Sequence, residues 1–240
     1  GLVGSEMCIR DSLNIAFCPS SSRGNDISNF QDEVTGAITL DRLINHWYNT
    51  DYGYLPWVLD LCSTQDDPEG IPINSGILGT LSAFGLGELP VHDDSVRAPK
   101  QLYGAIDTLI TTALAELTGG TGSLQERASR VADMDITLTG QFETWGNGHG
   151  NIVYRLAEGV ERYVVSNVAD ASSSAIPQSE VFVMFDLFSA GSEGANIQYF
   201  NHVPGGCNVL YMDGHVEFVK YNSKVPVDAR ISSILGALLQ

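Results

Sequence analysis

The clearest periodic stretch of the chain runs from Pro99 to Leu117 and has the spacing of a helix. Leu102, Ile106, Leu109, Ile110, Ala113, Leu114 and Leu117 fall on one broad apolar face, and Gly119-Gly120 terminates it. Leu40, Leu43, Ile44 and Trp47 repeat the same spacing after Thr39 or Asp41 as a cap. Ile152, Leu156, Val160 and Tyr163 predict an amphipathic helix over Asn151 to Tyr163, with Glu158 and Arg162 spaced for a surface ion pair. Elsewhere the period shortens. Ser129 to Phe142 alternates as a strand or strand pair, and Glu180 to Leu187 is an apolar run fit for a buried strand with Asp186 at its end. Leu13 to Asn29 reads as a short strand and loop. Gln65 to Gly79, Ser166 to Ser179 and Ser189 to Ala195 read as loops from their Asp, Pro, Gly and Ser content. Helices and strands alternate irregularly and the strands pair as hairpins, which predicts an α+β fold with an antiparallel sheet.

The strongest local pattern is Phe200 to Tyr221, FNHVPGGCNVLYMDGHVEFVKY. Asp213-Gly214 between two apolar runs predicts a hairpin with a two-residue type I′ turn, because both central positions of that turn need positive φ. In that register Met212 faces His215, Tyr211 faces Val216 and Val209 faces Phe218. Val209, Tyr211, Val216 and Phe218 then form the core face, with Leu210, Met212, His215 and Glu217 on the other.

The chain has 240 residues, 43% of them hydrophobic, enough for one domain with a sizeable core. Its 12 Lys plus Arg against 29 Asp plus Glu give a net charge of -17, which repels phosphate backbones and excludes nucleic acid as a partner. The same charge suits calcium, a basic protein surface or simple solubility. No segment has the length and apolarity of a membrane span. Gly1 to Ser12 (GLVGSEMCIRDS) leads into no element and reads as a non-native tail, leaving residues 13–240 as a single domain and Cys8 and Arg10 outside the functional reading. Cys18, Cys62 and Cys207 form no CxxC pair and no zinc spacing. Cys18 and Cys62 either pair in an exported protein or stay as buried thiols.

Candidate chemistry is sparse. His202, Asp213, His215 and Glu217 form one possible metal or acid/base set; alternatively Asp213 serves the turn, His202 bonds within its loop, and His215 and Glu217 are half-exposed strand residues. His149 lies in the Gly-rich WGNGHG, either as a ligand or base or, with no partner visible in sequence, as a solvated loop histidine. Asp66-Asp67 and Asp93-Asp94 are paired loop carboxylates, read either as surface cation ligands or as solvated loop acids. Tyr48 to Trp57 is either an aromatic ligand platform or a packed loop anchor. Thr118 to Ser123 lacks the lysine of a phosphate loop, and neither a G-x-S-x-G elbow nor an H-E-x-x-H pair occurs.

The Phe200 to Tyr221 segment resembles the C-terminal signature of the H-X9-DG (domain of unknown function 1559) family of pilin-like proteins of planctomycete-type bacteria. The resemblance is carried by His202, Gly205-Gly206, the strand Asn208 to Met212, Asp213-Gly214 and the return strand His215 to Phe218. It extends to Val153–Val165, Ser179–Asp186 and, more faintly, Phe17-Cys18-Pro19-Ser20. Ten residues rather than nine separate His202 from Asp213, a departure that bears on any strict role of that histidine. The resemblance implies a pilin-like head in the cell envelope, outside the cytoplasm. It also implies an apolar N-terminal helix preceded by a prepilin leader that anchors the subunit, and self-assembly or partners among other pilin-like subunits. No reaction and no cofactor is implied beyond the calcium that some secretion pseudopilins bind. A non-catalytic structural subunit is therefore the leading expectation. An extracytoplasmic calcium- or glycan-binding module is the alternative, and a metal-dependent hydrolase built on His202, Asp213, His215 and Glu217 the remote one. A head lacking its helix is expected to leave an apolar patch uncovered on the sheet.

Overall fold

The computed structural model describes residues 17–18, 20, 27–37, 51–83, 96–160, 176–190, 197–202 and 205–238. The expected helix around Leu40 to Trp47, the Asp93-Asp94 pair, Arg162, Tyr163 and most of the Ser166 to Ser179 loop lie outside them. The fold is α+β with antiparallel sheets. Its principal sheet has four strands in the order β1 (Tyr52–Tyr54), β6 (Phe182–Asp186), β9 (Gly206–Tyr211) and β10 (Val216–Lys220). Two-stranded pairs surround it: β2 (Ile71–Pro72) with β3 (Arg97–Ala98), β4 (Ile136–Thr137) with β5 (Ile152–Val153), and β7 (Phe188–Ala190) with β8 (Ile197–Phe200).

The α-helices among the described residues are α1 (Gly76–Ala83), α2 (Lys100–Gly119), α3 (Leu124–Ala132) and α4 (Ala229–Leu238). Helix α2 forms where its apolar period predicts. Its first turns, Gln101 to Ala105, are buried in the core, whereas Leu114 and Leu117 near its end are exposed together with Leu124. Helix α4 starts on Asp228, whose carboxylate accepts from the backbone N–H groups of Arg230 and Ile231. Ile231 and Ile234 then seat it in the core.

Three expectations need correction. Asn151 to Tyr163 is not a helix at its described end. Ile152–Val153 pairs with β4, the Tyr154 N–H donates to Asn147 Oδ1, and Gly159 at φ 82 turns the chain, so the apolar spacing there reports burial in a strand and a turn. The supposed strand over Ser129 to Phe142 holds the last four residues of helix α3, the two-residue β4 and a 3-10 turn over Gly140–Phe142. Ser123 accepts from the Glu126 N–H while the Glu126 carboxylate takes the Ser123 N–H, so a capping box starts a helix on the far side of the Thr118–Ser123 connector. The Gln65 to Gly79 loop contains β2 and the start of α1.

The sheet's core face is aromatic. Phe182, Phe185 and Phe188 stand edge to face at centroid distances of 6.1 and 5.9 Å. Phe188 stacks on Phe200, and Phe200 meets Tyr221 at 5.5 Å. Phe185 lies over Gly53, where a Cβ would meet its ring at 2.8 Å, so the edge strand has no side chain at that point because the ring fills its place. Replacing Phe185 by Ala should cost about 3–5 kcal/mol in urea unfolding, and Gly53→Val about 1–3 kcal/mol through overpacking.

A buried polar network ties the loops to α2. Asp60 Oδ1 accepts from Gln101 Nε2 at 2.7 Å and from Asn147 Nδ2 at 2.5 Å, while Asn147 Nδ2 also reaches the Val58 carbonyl and Gln101 Oε1 takes the Leu61 N–H. Burial pushes the Asp60 carboxyl above its usual range, with the Gln101 and Asn147 donors opposing it only in part. A carboxyl raised in the folded state contributes stability that is present below its unfolded pKa and is lost as pH rises through the folded value. Unfolding free energy measured across the acid range should therefore carry a downward slope from Asp60 with rising pH, and Asp60→Asn should flatten it. An unchanged slope in that variant would refute the assignment.

Candidate functional site

The hairpin of β9 and β10 decides which side chains share a face. Its turn is three residues long rather than two. The Gly214 N–H donates to the Tyr211 carbonyl, the Tyr211 N–H to the His215 carbonyl, and Gly214 takes a φ of 89°. Leu210 pairs with Val216, Val209 with Glu217, Asn208 with Phe218 and Cys207 with Val219. The expected register is thus off by one residue. Val209 and Tyr211 keep the core face, joined by Val219, while Val216 and Phe218 move to the other. The longer turn lets the Asp213 carboxylate accept the His215 N–H, and β10, at the sheet edge, gives up the burial of two apolar residues.

The outer face of the sheet carries two rows. Tyr54, Met184, Leu210 and Val216 form one across all four strands, and Tyr52, Asp186, Asn208 and Phe218 the other. Tyr54 is 56% exposed, Val216 62% and Phe218 43%, so the apolar patch expected on the sheet is present, although its members differ from those the two-residue turn would give.

Cys18, Asp186 and His202 meet at the Tyr52 end of this face. His202 Nε2 lies 2.9 Å from Asp186 Oδ2 and 3.5 Å from Cys18 Sγ. Asp186 Oδ2 also accepts from the Asn208 backbone N–H at 2.7 Å and from Asn208 Nδ2 at 2.9 Å, and Asn208 Nδ2 stands 3.0 Å from His202 Nε2. Each member is fixed from behind. The Cys18 N–H donates to Asp51 Oδ2, His202 bridges to Gly206 at the start of β9, and the Phe218 ring meets the His202 imidazole edge-on. Cys18 and Asp186 are buried, and the His202 side chain is 23% exposed.

Cysteine, histidine and aspartate together invite a nucleophile–base–acid reading, and the geometry opposes it. In such a triad the thiol and the carboxylate address opposite ring nitrogens, so that one accepts a proton while the other donates. Here both address Nε2. Burial first, and then the charges of Asp186 and Asp51, hold the Cys18 thiol above its ordinary pKa, the reverse of an activated cysteine.

The residues read as a metal set from sequence do not converge. His202 lies at the start of β9 and Asp213 beyond its end, a strand length of about 20 Å. Asp213 Oδ1 bonds His215 Nδ1 at 2.5 Å on the surface, which holds the Asp213 carboxyl below its usual range, and Glu217 pairs with Lys224. Of the motif residues, Gly205 and Gly214 adopt positive φ, and Gly206 has no room for a Cβ against Phe218 and the Val219 carbonyl. His149 is exposed at a φ of 62°. Asp67 is buried and accepts from the Gly70 and Lys100 N–H groups, and Asp66 takes the Ser63 hydroxyl, so both shape their own loop. Trp57 donates to the Met134 carbonyl and acts as a packed anchor. Cys18, Cys62 and Cys207 are all buried free thiols, and Cys18 does not pair with Cys62. A cleft of about 540 Å³ opens beside Tyr211, but two of its cations are engaged, Arg230 with the Asp67 and Cys62 carbonyls and Lys224 with Glu217.

His202 stands out as a candidate in the sequence, whereas no local pattern joins it to Cys18 and Asp186. The usable signal was an acid interrupting the apolar run of β6, since a buried carboxylate at a strand end needs donors. No family model matches the chain, no curated protein matches it significantly, and no solved structure does so either.

In chelator at about pH 8, where ordinary thiols are partly ionised, Cys18 should alkylate with iodoacetamide more slowly than the same cysteine in the urea-unfolded chain. Peptide mass spectrometry reads this directly, and a faster native rate would mark an activated nucleophile.

Proposed function

We propose that this chain is a non-catalytic head module of a pilin-like assembly of the cell envelope, and that its open sheet face packs against an apolar helix of that assembly. The observation that carries the reading is the row Tyr54, Met184, Leu210 and Val216, flanked by Phe218, on the outer face of the four-stranded sheet. Exposed apolar side chains contiguous over several strands are a contact surface. A sheet face with a two-residue repeat accepts a helix across its strands, which buries both apolar surfaces at once. The resemblance of the His202–Phe218 segment to the H-X9-DG proteins suggests where such a helix would come from. The Nε2-centred arrangement of Cys18, Asp186 and His202 supports a role without acyl or proton-transfer chemistry. No helix among the described residues is long and apolar enough to cross a membrane.

Two measurements test this. The genomic sequence upstream of Leu13 should encode a prepilin-type leader and about 20 apolar residues; a reading frame with no apolar helix would overturn the pilin-like assignment. For the contact face, the 240-residue chain should self-associate in sedimentation velocity through its uncovered row. The pair Tyr54→Lys and Val216→Lys, at the most exposed positions of the row, should weaken that association at least ~10-fold while changing stability by no more than about 0.5 kcal/mol, as for surface positions. Association unaffected by the two charges would place the contact elsewhere.

A further inference from the structure

The side chains at the Tyr52 end of the open face offer one sulfur, one imidazole nitrogen and one carboxylate oxygen to a single point. Their ligand atoms all lie within 4.8 Å of one another. Tetrahedral zinc, with bonds of about 2.0–2.3 Å, needs its ligand atoms roughly 3.3–3.8 Å apart. The 3.5 Å between Cys18 Sγ and His202 Nε2 already meets that spacing, and the 2.9 Å between His202 Nε2 and Asp186 Oδ2 needs to open by roughly half an ångström.

We infer that Cys18 Sγ, Asp186 and His202 Nε2 form a site for a divalent transition metal of the zinc type, with three protein ligands and a fourth position toward solvent. The shared use of Nε2, which defeats a triad, is what metal ligation requires, because all three donors must point at one ion. A thiolate and a carboxylate balance a divalent charge, and the buried Asp51 carboxylate behind Cys18 adds to the negative field. Among the described residues, His202 is the one titratable base in ion-pair range of Asp186. A donor set of sulfur, imidazole and carboxylate selects zinc, cobalt or copper over calcium or magnesium, which take oxygen ligands. The supporting shell is present too. Asn208 holds the Asp186 carboxylate through its backbone N–H and its carboxamide, and the bridge to Gly206 fixes the backbone of His202. The partial exposure of the imidazole gives the ion a route in and a place for water as fourth ligand. Since Cys18 and His202 are 184 positions apart in sequence, the ion would clip the N-terminal segment to the sheet.

The test titrates the purified, chelator-stripped full chain with Co²⁺ alone. One equivalent should bind with a sulfur-to-cobalt charge-transfer band and the ligand-field bands of a tetrahedral ion, and Zn²⁺ should displace it. Cys18→Ser should abolish the charge-transfer band. His202→Gln should weaken binding at least ~10-fold, and Asn208→Ala ~10–100-fold through the supporting shell. Circular dichroism shows whether each variant is folded. Should Cys18→Ser fail to fold, the wild-type chain still decides, because bound Zn²⁺ must protect Cys18 from iodoacetamide. No charge-transfer band in the folded wild type, an undiminished band in folded Cys18→Ser, or no protection of Cys18 would each overturn the site.

Discussion

The turn Met212–Gly214 fixes the register of β10 on β9, and with it which β10 side chains reach the outer face of the sheet. With three residues in the loop, Asn208 and Phe218 become cross-strand partners, so Phe218 comes to the outer face beside His202 while Asn208 serves Asp186. The same offset places Val216 opposite Leu210 and completes the apolar row. A two-residue turn would have turned Val216 and Phe218 toward the core and put Glu217 and Val219 on the outer face instead. Gly214 carries the positive φ that permits the longer loop, and the Asp213 carboxylate satisfies the His215 N–H that follows it.

Behind the sheet, rigidity comes from two different sources. The phenylalanine series from Phe182 to Phe200 is apolar and buries area, which favours folding without dictating direction. The Asp60, Gln101 and Asn147 network is directional. Each buried group has a partner, so the 58–62 segment, the start of α2 and the Asn147 turn fit in one arrangement. Together they hold β1 and β6, and thereby Asp186, in place for the side chains that reach it.

How much of this was legible in the sequence follows from which forces are local. Helix α2 was legible because its apolar stripe and terminating glycines are properties of one segment, and β6 because a bounded apolar run of that length has few other uses. The hairpin was visible in Asp213-Gly214, but its register was not, because Val209 and Tyr211 keep the core face with either turn length and only the facing of the β10 side chains on the edge strand differs. Helix α3 has no buried residue, but Leu124, Ala128, Val131 and Ala132 fall at helical spacing and the Ser123–Glu126 capping pair marks its start, so the helix was legible and the alternating reading that begins at Ser129 cut across it. The strand at Ile152 was masked by a chance helical spacing that the Gly159 turn breaks. The meeting of Cys18 with His202 across almost the whole chain had no local signature at all, beyond the misplaced acid in β6.

The two edges of the principal sheet bear on how such a molecule associates. Strand β1 is three residues long and is followed within two positions by Pro56, which has no N–H to offer a new strand. Strand β10 presents Glu217, paired with Lys224, and ends at Lys220. Charges on one margin and a short, proline-limited strand on the other discourage the sheet from growing sideways by adding a neighbour's backbone. If copies of this fold associate as proposed, they would therefore meet face on, through side chains. An ordered array of them would keep each sheet a closed unit of four strands, free of the continuous ladder that turns an assembly into an amyloid.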